Sequence, residues 1–182
     1  MKAIKRITAL ALCALMLLGL LSGCGEKKQG DEKFVLNASV CNVIDSLDSA
    51  MNTDTDADSV FYALYENLMR ESDDGSGEVT LTNGMAKEYA EETNYDGSVT
   101  YRFTLRSTAR WSDGEKVTAD DFVYAWQRLA DPATDSPNHA LMSVVAGYDD
   151  VRETGDKTKL QVSAKDESTF VVTLSAPCAY FI

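Results

Sequence analysis

Asp54, Asp56 and Asp58 alternate with Thr55 and Ala57, the spacing at which carboxylates of a calcium loop converge on one hard cation. Such a loop also needs a glycine for its sharp turn and, further on, a bidentate glutamate, and those places hold Ser59 and Tyr65. The run therefore reads as a solvated acidic loop ahead of a helix. Hydrolytic chemistry is no better supplied: the single histidine, His139, follows the polar run Ser136-Pro137-Asn138, and neither a G-x-S-x-G elbow nor an H-E-x-x-H zinc motif occurs. The four cysteines, Cys13, Cys24, Cys41 and Cys178, make no C-x-x-C or zinc-like spacing. Cys41 and Cys178 are expected as small buried hydrophobes, although an oxidising compartment would leave pairing open. No catalytic residue, metal or cofactor is expected.

The elements that would carry any site are readable. Phe34 to Val40 is apolar enough for an interior strand. Asp58 or Ser59 is placed to cap a helix with Phe61, Leu64, Tyr65 and Leu68 on one face. Asp74-Gly75, Asp96-Gly97 and Asp113-Gly114 mark tight turns. After the second, Val99, Tyr101, Phe103 and Leu105 alternate with Thr100, Arg102, Thr104 and Arg106, a strand buried on one face with a hairpin partner before it. Thr118-x-x-Asp121 opens a helix with Phe122, Ala125, Trp126 and Leu129 on its apolar stripe, and Asp131-Pro132 ends it. Trp111 and Trp126 are assigned to the core. A short helix over Leu141–Ala146 and a strand over Thr169–Leu174 complete a mixed α/β chain.

The first residues address the chain to export. Lys2, Lys5 and Arg6 precede an apolar run, Ala9 to Leu21, that is too short to span a bilayer, so residues 1–23 read as a signal peptide. Leu21-Ser22-Gly23-Cys24 resembles a bacterial lipobox, which makes Cys24 the expected site of lipidation and residues 24–32 a flexible linker to a membrane anchor. The chain carries 17 Lys and Arg against 29 Asp and Glu, a net charge of −12. Loss of the basic signal makes it more acidic still, which disfavours nucleic acid and anionic lipid as partners.

Ser46-Leu47-Asp48, Tyr65-Glu66-Asn67-Leu68-Met69, Tyr101-Arg102-Phe103-Thr104-Leu105-Arg106, Trp111-Ser112-Asp113-Gly114, Val117 to Leu129 and Asp131-Pro132 follow one another in an order that resembles the N-terminal part of oligopeptide-binding proteins of ABC importers. Val171-Val172-Thr173-Leu174 with Ala176-Pro177 continues it. The resemblance implies a bilobal fold of the type II periplasmic-binding-protein kind. Residues 33–65 would be the first segment of the main substrate-binding lobe and 66–182 a small α+β accessory domain, the whole being an N-terminal piece of a longer chain. It implies a monomeric, lipid-anchored, extracytoplasmic protein, periplasmic where there is an outer membrane, that captures an oligopeptide as an added strand and delivers it to permease subunits. Thr53, Asp54 and Thr55 would face the peptide main chain, and Tyr124 would line the cleft. Nickel chelates, haem and sugar oligomers are other cargoes of this fold. The reading from a different class is a surface lipoprotein that senses or adheres, or a truncated product.

Overall fold

The computed structural model describes residues 35, 37–73 and 75–182. The signal peptide, Cys24 and the linker lie outside them. The described residues up to Ser39 belong to a separate unit, and Val40–Ile182 form a compact one.

The centre of that unit is an antiparallel sheet in the order β3-β4-β6-β5, built from Ala86–Thr93 (β3), Val99–Leu105 (β4), Val162–Asp166 (β5) and Thr169–Leu174 (β6). The alternation of β4 does what its sequence requires. Val99, Tyr101, Phe103 and Leu105 are buried, while Arg102 and Thr104 lie half-exposed on the other face. Its hairpin partner is β3, joined through a turn in which Gly97 takes φ 86°, a conformation that costs glycine nothing. Across the β4–β6 ladder, Phe103 stands opposite Phe170, Tyr101 opposite Val172 and Val99 opposite Leu174. On the opposite face the hydroxyls of Thr100 and Thr173 lie 3.1 Å apart.

A helix, Ala119–Ala130 (α2), lies against β5 and β6. At its start Asp121 accepts the backbone N–H of Thr118 at 2.7 Å, so aspartate completes the capping box that its sequence suggested. Trp126 meets Phe170 edge-on at 5.1 Å and Phe181 at 6.0 Å, and Phe122 meets Phe170 at 5.7 Å. These aromatic contacts fix the helix against the sheet. After Asp131 the chain turns through short 3-10 segments, Pro132–Thr134 and His139–Val144, into a brief helix, Tyr148–Thr154 (α3).

Ahead of the sheet lie a helix, Thr55–Leu64 (α1), and a two-stranded hairpin of Met69–Asp73 (β1) and Val79–Asn83 (β2), every residue of β2 being exposed. Several expectations are corrected in this region and beside it. Val35 and the residues from Asn37 to Val40 have no strand conformation and are exposed, since no strand of the sheet pairs with them. The helix begins earlier than Asp58, because Asp54 caps it by accepting the Asp56 N–H at 2.8 Å. It also ends at Leu64, so Leu68 is buried from outside it while Leu64 and Tyr65 are exposed. Trp111 is exposed rather than core: its indole N–H reaches Asp121 at 3.4 Å, on the rim of the cap. Ala125 faces outward from α2, and Cys41 is an exposed thiol. Among the described residues no helix is long and apolar enough to cross a membrane.

Candidate binding site

The segment that carries Thr53, Asp54 and Thr55 is held by side chains rather than by a sheet. Asp48 starts a tight turn, accepting the Ala50 N–H at 3.1 Å while the Met51 N–H bonds its carbonyl at 3.0 Å. The same carboxylate receives both arms of the Arg128 guanidinium, at 2.8 Å and 2.5 Å, from the last turn of α2. That fork holds the Asp48 carboxyl below its ordinary range and raises the guanidinium above its own. Two further anchors follow from the loop after α2. Buried Ser136 donates its hydroxyl to the Ala50 carbonyl, and Asn138 donates its amide to the Asn52 carbonyl at 2.6 Å.

The pattern then continues into the acidic run. Asn52 accepts the Asp54 N–H at 2.9 Å and donates to Asp58 at 2.6 Å, and Asp56 accepts the Asn42 main-chain and side-chain N–H groups at 2.7 Å and 2.8 Å. Each of the three carboxylates therefore serves the local backbone or a neighbouring amide. His139 does similar structural work, its Nδ1 lying 2.5 Å from the Tyr148 hydroxyl with the rings stacked.

Of the residues expected to meet a ligand, Thr53 and Thr55 are exposed and Asp54 is half-buried with one oxygen used in the helix cap. Tyr124 is 64% exposed, one turn before Arg128 on α2. No hydrogen bond joins Tyr124 to the three loop residues. What brings them into one unit is the Arg128 fork, which links the helix of Tyr124 to the turn that leads into Thr53. Arg128, Ser136 and Asn138 were not singled out from sequence. The signal was present in Ser46-Leu47-Asp48 and in the arginine of Trp126-Gln127-Arg128-Leu129, but a salt bridge between residues 80 positions apart has no local signature.

Comparison with known proteins gives the family. Residues 80–182 match the family of bacterial extracellular solute-binding proteins, family 5 Middle. A dipeptide-binding protein of Lactococcus lactis is 32% identical over 99% of the chain and 30% of its own length. The periplasmic oligopeptide-binding protein OppA of Salmonella typhimurium is 52% identical over 44% of the chain and 16% of its own. The crystal structure of Haemophilus influenzae OppA in complex with the peptide RPPGFSPFR superposes with a TM-score of 0.64 at 36% identity, over 74% of this chain and 26% of that one. The chain thus spans less than a third of the length of these relatives.

Proposed function

The chain belongs to the bacterial extracellular solute-binding proteins, family 5, and from that premise we propose that its part in the whole protein is to supply one wall of an oligopeptide-binding cleft. The observation that carries the reading is the clamped loop: exposed Thr53 and Thr55 are held, through Asp48, Ala50 and Asn52, to the same unit that presents exposed Tyr124. An extended peptide is captured through its main chain as an added strand, which needs fixed polar partners and tolerates varied side chains. An anchored segment of small hydroxyl residues with a half-free carboxylate suits that use. The names of the relatives, dipeptide- and oligopeptide-binding, point to the same cargo.

The remaining roles rest on sequence. Cys24 in its lipobox would be lipidated and hold the protein on the outer side of the membrane, and delivery would be to the permease of an ABC importer. The protein would work as a monomer.

Strand capture needs main-chain partners on both sides of the peptide and a cleft that closes to water. The 182-residue chain alone is therefore expected to show no saturable micromolar binding in calorimetric titration with tri- to pentapeptides. A chimera in which Val40–Ile182 replaces the matched region of Haemophilus influenzae OppA should bind, and Tyr124→Ala in it should weaken binding about three- to tenfold, the loss of one aromatic contact. A folded chimera that binds no peptide would refute the reading.

A further inference from the structure

A concave site is lined by residues outside the clamped loop. It is a cavity of about 310 Å³ at the end of β4, floored by Leu105 and Val117 and walled by Lys87, Arg106 and Lys116 together with Thr104, Ser107 and Ser168. Its composition runs against that of the molecule: in a chain of net charge −12, three cations and three hydroxyl residues line it and no carboxylate does. None of Thr53, Asp54, Thr55 or Tyr124 takes part, so the site does not depend on the peptide reading.

The donors are partly uncommitted. The Arg106 guanidinium makes one bond, to the Asn83 carbonyl at 2.7 Å, and the rest of its fork has no partner among the described residues. The hydroxyls of Thr104 and Ser107 likewise have none, whereas Ser168 already donates to Asp166 at 2.8 Å. Lys116 is paired with Glu167 at 2.9 Å and Lys87 with Glu88 at 3.5 Å, both at exposed positions. Exposed pairs of this sort are weak and exchange partners readily. The main chain around the cavity is fixed, since Arg106 N–H bonds the Met85 carbonyl at 2.9 Å and Leu105 N–H bonds the Ser168 carbonyl at 2.7 Å. A guanidinium fork, two mobile ammonium groups and two free hydroxyls supply more donors than a carboxylate can accept, and they match the several oxygens of a phosphate group.

The geometry points to a phosphate-binding site formed by Arg106, Lys116, Lys87, Thr104 and Ser107, which takes a phosphomonoester or free phosphate. The test is an NMR titration of the chain with inorganic phosphate at low ionic strength. Saturable amide shifts centred on Arg106, Ser107 and Lys116 are expected, and Arg106→Gln should weaken binding about tenfold, as the loss of a charge-assisted fork does. Ser107→Ala, which removes one uncommitted hydroxyl and no structural bond, should weaken it several-fold and keeps the test open if Arg106→Gln does not fold. Sedimentation with vesicles of phosphatidic acid, whose headgroup is a phosphomonoester, separates the sources. Retention that Arg106→Gln abolishes identifies a headgroup phosphate, and phosphate binding without retention identifies a soluble one. Shifts that never saturate, that centre on Lys157 and Lys159 instead, or that neither variant weakens would overturn the assignment.

Discussion

Replacing Asp48 by Asn and Arg128 by Gln, singly and together, measures what holds the loop that carries Thr53. At an effective dielectric near 20, unit charges about 4 Å apart attract by roughly 4 kcal/mol. Both side chains keep about a third of their surface in water, 35% for Asp48 and 33% for Arg128, so desolvation, screening and the ordering of a long arginine offset most of that. The bidentate geometry places the pair at the upper end of what exposed bridges yield, and a coupling of about 1 kcal/mol is expected. Urea unfolding of the four proteins gives the number as the non-additive part of the cycle.

The pH dependence has a definite sign. Arg128 lowers the native carboxyl pKa of Asp48, so the unfolded chain binds the proton more readily than the folded one does. The coupling is therefore complete above the unfolded carboxylate range and vanishes as pH falls through the lower native value, so it should be the same at pH 7 and pH 5 and shrink below about pH 4. Hydrogen exchange provides the local readout, because amides of residues 50–54 should exchange faster in Asp48→Asn while those of β4 do not change. A cycle that closes to within about 0.3 kcal/mol, or loop amides as protected as in the parent, would show that Ser136 and Asn138 hold the loop without the ion pair.

Two further substitutions test the packing. Trp126→Ala should cost about 2–3 kcal/mol, less than a fully buried tryptophan because the ring is only half-buried, whereas Glu115→Ala in the exposed turn should cost under about 0.5 kcal/mol; equal urea midpoints would mean that the aromatic cluster around Phe170 contributes little. Gly147→Ala should destabilise by about 2 kcal/mol or more in thermal melts, since Gly147 sits at φ 82° and a Cβ there would run into the Lys159 carbonyl, while Gly155→Ala, at φ 73° with open space around it, should cost less.

How much of this was written in the sequence depends on how local the cause is. The period-two pattern of Val99–Leu105, the β-branched run Thr169–Leu174, the capping box at Thr118 and the stop at Asp131-Pro132 each act within a few residues, and each appears where the residues place it. Trp111 was misplaced because a large aromatic beside a turn has the same composition whether it packs inward or shields a helix cap. The start of α1 was misread since four candidates, Asp54, Asp56, Asp58 and Ser59, compete for one cap, and the winner is set by Asn52, whose amide oxygen fixes the Asp54 N–H from outside the helix. The β1–β2 hairpin has only a faint signature, since Val79 and Leu81 alternate with threonines over too few residues and β1, Met69–Asp73, is mostly polar.

The same distinction separates the two halves of the candidate site. Tyr124 stands on a helix whose other side is fixed by Phe122 and Trp126 against Phe170, so its position follows from burial that the helical period encodes. Thr53 stands on a loop and Thr55 on the first turn of α1, with little buried beneath them: Ala50 and Ala57 are the buried residues nearby, and neither offers much apolar area. Their placement falls to the Arg128 fork and to two hydrogen bonds from Ser136 and Asn138, each a contact of the order of one kcal/mol. A loop held this way opens locally at far lower cost than the sheet unfolds. Under the proposed reading, such a loop can yield as an extended ligand enters and then present donors and acceptors to its main chain. It also makes Arg128, a residue with no expected ligand contact, as consequential for the site as Tyr124 one turn away.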